Sequence, residues 1–106
     1  VFAMPTVFPE AKGIPVVEAL AAGVPVVAPA HGTFPELLDD ERAGLLHAAG
    51  DPADLARVIG RLLDDEPLAV RCGRHGPQLS LARHTADRMA AAHEELYARL
   101  TGGASA

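Results

Sequence analysis

The chain has 106 residues and a formal net charge of −5, from 9 basic and 14 acidic residues. One domain at most fits this length, and 49% hydrophobic content supplies one packed core, which argues against intrinsic disorder. The acidic balance argues against nucleic-acid binding, while the single cysteine, Cys72, excludes an internal disulfide and a four-cysteine zinc site and indicates a reducing compartment.

The first 50 residues alternate between predicted strands and helices. Apolar runs at 1–4 and 24–28 predict two buried parallel strands, because neither run alternates polar with apolar residues. Between them we expect a helix over 14–22, with Pro15 in its first turn and Gly23 just past its end. The order of strand, helix and strand is typical of a right-handed crossover.

Two shorter elements follow. Thr33 and Glu36 have the spacing of a capping box, which predicts the start of a short helix. Residues 44–47, Gly-Leu-Leu-His, predict a third strand, entered through a charged turn at 39–42. These two elements complete an α/β pattern over the first half of the chain.

The second half of the chain is predicted to be helical. Asp51 is expected to cap a helix that has Pro52 at its first position. The apolar residues expected on one face of this helix are Leu55, Val58, Ile59, Leu62 and Leu63. A further helix is expected from Pro67, fading near 76–77, with Cys72 in the core. A terminal helix is then predicted over about 85–100.

The loop after the first strand is the richest candidate site, because ligands of open α/β sheets bind at the carboxyl ends of the strands. Gly13 and Ile14 lie at the end of this loop, where the next helix begins. Free amides and the helix dipole at that position favour an anion such as a phosphate. Glu10 and Glu18 add two carboxylates. Simpler interpretations remain open: Glu18 as a partner of the helix dipole, Glu10 as a solvated residue and Lys12 as a surface lysine.

Several segments together resemble the donor-binding, C-terminal part of family 4 (group 1) glycosyltransferases with the GT-B fold. The seven residues between Glu10 and Glu18 are similar to the E-x7-E element of that family. The matching segments are 5–6, 10–14, 18–28, 32–37, 44–46 and 51–56. The resemblance implies an α/β fold: a partial Rossmann-like parallel sheet of about three strands flanked by helices, the C-terminal half of the donor domain.

The resemblance also implies a reaction and a set of site residues. The parent enzyme would transfer a sugar from a nucleotide-sugar to an acceptor hydroxyl with retention, without a metal and without a cofactor besides the donor. Glu10 would contact the transferred sugar as the catalytic residue, and Glu18 would accept hydrogen bonds from the ribose hydroxyls. The sugar and diphosphate would be held by the main chain around Ala11, Lys12, Gly13 and Ile14.

Two positions depart from the family pattern. Lys12 stands where many members have an aromatic residue, and His31 precedes Gly32 where a second glycine is frequent. The resemblance also places the basic pair that neutralises the diphosphate, and the whole acceptor domain, upstream of Val1. We therefore expect this chain alone to be inactive.

The resulting expectation is a single partial domain over 1–106. A βαβ nucleotide-sugar-binding segment would occupy 1–50, a helical C-terminal segment 51–100, and a frayed tail 101–106. The chain opens directly in an apolar run, which adds to the expectation that it belongs to a larger protein. We expect that protein to be cytoplasmic, with peripheral membrane contact through the missing N-terminal domain.

Two other functions remain open at this stage. One is a non-catalytic half-domain that binds nucleotide weakly or self-associates through an exposed sheet edge. The other is a nucleotide-sugar epimerase that shares the GT-B fold. A metal site is not expected, since the five histidines show no ligand spacing.

Overall fold

Three parallel strands form the sheet at the centre of the fold. They are β1 (Phe2–Ala3), β2 (Val26–Pro29) and β3 (Gly44–His47), hydrogen-bonded in the order β1-β2-β3. The structure, a computed structural model, describes residues 1–7 and 12–102. The helices are α1 (Ile14–Ala21), α2 (Phe34–Leu37), α3 (Pro52–Asp64), α4 (Glu66–Arg83) and α5 (Ala86–Leu100). The predicted α/β class and partial parallel sheet are therefore confirmed.

The strands differ in burial. All four residues of the central strand β2 are buried, as predicted. The β1 strand is shorter than predicted and partly exposed, because it lies at the edge of the described sheet. Val26 pairs with Gly44, where any Cβ atom would collide with the main-chain oxygen of Val26. The third strand therefore depends on a glycine at its first position.

The core lies on both faces of the sheet. Alternate residues of β2 point to opposite faces, so Val26 and Ala28 belong to one apolar cluster and Val27 to the other. The first cluster also contains Val16, Leu20, Phe34, Leu38 and Leu79, and the second contains Leu45, Val58, Leu62, Leu68 and Cys72. The core position of Cys72 is confirmed. Leu63 was predicted on the buried face of α3 and is 68% exposed, so that prediction is wrong.

The α4 helix does not fade at 76–77 as predicted. It runs through Pro77 to Arg83, although proline removes one main-chain donor from the helix interior. The reason is tertiary: α4 packs against α1 so closely that a Cβ atom on Gly76 would lie 2.6 Å from the carbonyl oxygen of Leu20. Contact with α1 therefore overrides the local signal for a helix end.

Two predicted helix caps have different outcomes. The side chain of Asp51 accepts a hydrogen bond of 3.0 Å from the amide of Asp54, which confirms the cap of α3. The capping box at Thr33 is wrong, since its side chain makes no capping hydrogen bond. Thr33 has helical main-chain angles, φ −81° and ψ −10°, whereas a capping residue is extended.

The terminal helix α5 is confirmed, and it is the most exposed of the described helices. Thr85 caps it by accepting from the amide of Arg88 at 3.1 Å. None of the fifteen residues of α5, all of which the structure describes, is buried. No helix within the described ranges has the length and apolar character required to cross a bilayer. Residues 103–106, most of the predicted frayed tail, lie outside the described residues.

Candidate functional site

The start of α1 is built on a glycine that no other residue replaces without strain. Gly13 has φ 66° and ψ 43°, in the left-handed region. A Cβ atom at this position would lie 2.8 Å from Cδ1 of Leu37 and 3.3 Å from the ring of Phe34. Both the turn and the close approach to α2 therefore require glycine, as the sequence suggested for the turn.

Three amides at this helix start have no partner within the helix. The first intrahelical hydrogen bond runs from the amide of Val17 to the carbonyl of Gly13, at 3.1 Å. The amides of Gly13, Ile14 and Val16 precede that bond along the chain, so the α-helical pattern gives them no partner. Pro15 has no amide hydrogen. This arrangement suits an anionic ligand.

Glu18 lies on the exposed surface of α1, beyond its first turn. The first turn contains no acidic residue, and the effect of the helix dipole falls off beyond that turn. Among the described residues, its carboxylate makes no hydrogen bond or ion pair. The interpretation of Glu18 as a dipole partner is therefore weakened, and its two oxygens are free to accept from a ligand.

Two of the six predicted site residues cannot be placed. Glu10 and Ala11 lie outside the described residues, so their roles remain predictions. Lys12, Gly13 and Ile14 are described as consecutive residues at the base of α1, and Glu18 follows about one turn later. The structure thus brings together four of the six predicted residues.

The site includes a cation that the sequence analysis missed. Lys12 and Arg83 line the same groove of about 390 Å³, with an apolar floor that includes Ile14, Val17 and Leu37. Arg83 comes from the end of α4, which the sequence predicted to fade before reaching this point. Only the three-dimensional packing of α4 brings it beside Lys12.

Arg83 is held in place by the turn after α2. Its guanidinium donates to the carbonyl of Glu36 at 3.2 Å and to Oδ1 of Asp39 at 3.3 Å. His75 binds the other carboxylate oxygen of Asp39 at 3.0 Å. The hydrogen bond from His75, with the nearby arginines, holds the pKa of Asp39 below its usual range. Asp39 therefore stays ionised and keeps Arg83 oriented.

The loop after β2 lies beside the same helix start. The ring of His31 is 6.3 Å from that of Phe34, which in turn approaches Gly13. Both ring nitrogens of His31 are buried without a hydrogen-bond partner among the described residues. Gly32 follows with φ 59°. The departure from the family pattern at His31 thus lies close to the predicted site.

A larger cavity lies elsewhere and contains none of the predicted residues. It measures about 890 Å³ and lies between the turn at 40–42 and α4, with Arg42, Arg71 and Arg74 among its lining. Cavity size alone would therefore direct attention away from the start of α1. Within the part of the chain that the structure describes, no three His, Cys, Asp or Glu residues form a group able to hold a metal ion.

Comparison with protein families and curated proteins gives a consistent match. The family model for group 1 glycosyl transferases matches residues 1–79. A D-inositol 3-phosphate glycosyltransferase of Streptomyces avermitilis is 40% identical over 84 residues, which cover 79% of this chain and 17% of that protein. A phosphatidyl-myo-inositol mannosyltransferase of Mycobacterium leprae is 42% identical over 71 residues, covering 67% of this chain and 19% of that protein. The chain thus spans only about a fifth of the length of these relatives.

Solved structures share the fold. Sucrose-phosphate synthase from Thermosynechococcus elongatus superposes with a TM-score of 0.82 and 30% identity, over 96% of this chain and 25% of that one. HepE of Anabaena, solved in complex with UDP, gives a TM-score of 0.78 at 24% identity, over 94% of this chain and 27% of that one. At that identity the second likeness concerns the fold alone.

Proposed function

The chain belongs to the group 1 glycosyl transferases, and from this membership we propose that it forms part of the donor site of a sugar-transferring enzyme. The enzyme would transfer a glycosyl group from a nucleotide-sugar to an acceptor hydroxyl, with retention and without a metal. The observation that carries the proposal is the start of α1, which lies within the matched segment. It combines a left-handed Gly13, amides without a helical partner and a Glu18 carboxylate without a partner among the described residues.

Each proposed contact follows from the chemistry of the groups. The amides of Gly13, Ile14 and Val16 donate to phosphate oxygens, which only accept hydrogen bonds. The carboxylate of Glu18 accepts from the two ribose hydroxyls, since its two oxygens match a vicinal diol. Glu10 contacts the hydroxyls of the transferred sugar. Preorganised donors then stabilise the charge that develops on the leaving diphosphate.

The charge of the chain limits how tightly it binds a diphosphate by itself. The formal net charge is −5, and the lysine and arginine residues that line the groove beside the start of α1 are Lys12, Arg83 and Arg88. Arg83 already donates to Glu36 and Asp39. We therefore propose that further basic residues of the whole protein complete the donor site. The names of the curated relatives support an inositol-containing acceptor, bound by parts of the protein other than this chain.

Calorimetric titration with uridine diphosphate tests the role of Glu18. The Glu18→Gln substitution keeps the size of the side chain and removes its charge. We expect it to weaken binding about tenfold, because it weakens charge-assisted hydrogen bonds to the ribose. Glu94→Gln, an exposed position on α5, is the matched control and should leave the affinity unchanged. Equal affinity of the Glu18→Gln variant and the unsubstituted protein for uridine diphosphate would contradict the proposed contact between Glu18 and the ribose.

One observation favours a second function, self-association through the sheet edge. The β3 edge is covered, since the carboxylate of Glu41 accepts from the amide of Leu46 at 3.0 Å. The β1 edge contains only Phe2 and Ala3 and is partly exposed. Light scattering coupled to size-exclusion chromatography distinguishes the two functions, because a monomer at all concentrations contradicts edge pairing.

A further inference from the structure

A buried histidine joins two distant ends of the sheet. His47 is the last residue of β3 and is 3% exposed. Its Nε2 lies 3.3 Å from the carbonyl oxygen of Met4, the residue that follows β1. Its Nδ1 lies 3.0 Å from the carbonyl oxygen of Ala48. The ring therefore bridges β3 and the end of β1, with β2 between them.

His47 contacts the chain just after β1. The amide of Met4 donates to the carbonyl of Val27 at 2.9 Å, which ties this residue to β2. Residues 5–7 follow it along the chain. The carbonyl of His47 itself accepts from the amide of Ala30 at 2.8 Å, which fixes the first residue after β2. His47 thus contacts the first residue after β1 and the first residue after β2, where the two loops beside the candidate site begin.

The residue that follows His47, Ala48, is hydrogen-bonded to helix α3. The amide of Ala48 donates to Oδ2 of Asp54 at 2.7 Å, and Arg57 donates to the other oxygen at 2.9 Å. These two contacts, the one from Ala48 first, keep the pKa of Asp54 below its usual range, so the acceptor stays ionised. Asp54 is in turn fixed to the cap residue Asp51. Contacts therefore run from the start of α3 through Ala48 and the ring of His47 to Met4, and a ring with one N–H donates to only one of the two carbonyls that it faces.

We propose that His47 is a positioning residue for residues 5–7, the described start of the loop between β1 and α1. Nε2–H of the ring donates to the carbonyl of Met4 and fixes the direction in which this segment continues from β1. A part-buried carbonyl that loses its donor is costly, so this segment would shift to find another partner. The consequence for nucleotide binding rests on the proposed function, whereas the hold on the loop does not.

Three substitutions separate the hydrogen bond from the bulk of the ring. His47→Leu removes both nitrogens while keeping an apolar side chain of similar reach. In His47→Gln, the side-chain amide reaches as far as Nε2 and donates to Met4. In His47→Asn, the shorter amide reaches the position of Nδ1 and not Met4. The neutral ring carries one N–H, so each amide reproduces one of its two donor positions.

Two measurements are made on the full chain and its variants. The first is hydrogen exchange of the amides of Thr6 and Val7, with amides within α4 as a monitor of global stability. The second is the affinity for uridine diphosphate. We expect about tenfold faster loop exchange and about tenfold weaker binding for His47→Leu and His47→Asn, with α4 exchange unchanged and His47→Gln close to the unsubstituted chain.

The outcomes separate the positioning role of His47 from the proposed binding of a nucleotide. Unchanged loop exchange in His47→Leu overturns the proposal, as does failure of His47→Gln to restore what His47→Asn loses. Faster exchange in α4 to the same degree as in the loop also overturns it, because the role would then be general stability. If the unsubstituted chain does not bind the nucleotide but loop exchange follows the expected order, the donor site is wrong and the positioning role stands.

Discussion

The strand β2 and the helix α5 are the two extremes of this molecule. Every residue of β2 is buried, whereas no residue of α5 is, although α5 has apolar side chains of its own. Four of them are exposed: Met89, Leu96, Tyr97 and Leu100. The conformation of β2 is set by residues distant in sequence, while α5 depends on its cap and helix propensity. The unit from β1 to α4 should therefore be far more sensitive to substitution than α5.

The largest expected effect is at the contact between α1 and α4. Gly76→Ala places a Cβ atom 2.6 Å from the carbonyl oxygen of Leu20, which is main chain and cannot rotate away. We expect the free energy of unfolding to fall by about 2–3 kcal/mol in urea denaturation.

Gly60→Ala in α3 is the matched control. A Cβ atom there meets no atom within 4 Å, so the gain in helix propensity should raise stability by about 0.5–1 kcal/mol. Equal effects of the two substitutions would mean that α1 and α4 are not in close contact.

The next effect concerns the candidate site. Gly13→Ala forces a left-handed φ on alanine and crowds Leu37, so stability should fall by about 1–2 kcal/mol and nucleotide affinity should fall with it. Gly50→Ala is the control: its φ is 74°, and the nearest atom is 4.0 Å away on Val7. It should cost about 1 kcal/mol through φ alone. A Gly13→Ala protein as stable as Gly50→Ala contradicts the close approach to α2.

A smaller effect distinguishes the two predicted caps. Asp51→Ala should lower stability by about 1 kcal/mol, because it removes the hydrogen bond to Asp54. Thr33→Ala should change stability by less than about 0.5 kcal/mol, since no capping hydrogen bond exists there. Thermal unfolding of both variants measures the difference, and a larger loss for Thr33→Ala would reverse this account.

The smallest effect is expected in α5. Leu100 is 73% exposed, so Leu100→Ser should change the free energy of unfolding of the isolated chain by no more than about 0.5 kcal/mol. A loss as large as that of Asp51→Ala would show that α5 is packed more tightly than its exposure indicates.

Local signals predicted the cap of α3 but not the side-chain contacts of Thr33, and they failed where distant contacts decide. The cap at Asp51 involves a residue three positions away and was predicted correctly, while the continuation of α4 through Pro77 depends on α1. The turn after α2 shows the same limit. Asp39, Asp40 and Glu41 all have positive φ, and three consecutive non-glycine residues in that region are uncommon, although aspartate adopts it more readily than most residues.

The candidate site likewise combines features that the local sequence predicted with contacts between residues distant in the sequence. The glycine at the start of α1 and the exposed Glu18 follow from the order of residues along one loop and helix. Arg83 and Lys12 line the same groove although they are 71 positions apart in the sequence (83 − 12). His47 contacts Met4, which lies 43 positions before it. Nothing in the sequence near either residue indicates these contacts, because the packing of α4 and the sheet creates them.

The most direct test of the donor site is the map of amide chemical-shift changes when uridine diphosphate is titrated into the ¹⁵N-labelled chain. We expect the largest changes at Gly13, Ile14, Val16 and Glu18, and weaker ones at Lys12. Changes confined to the cavity at Arg71 and Arg74, or none at millimolar nucleotide, would contradict a donor site at the start of α1.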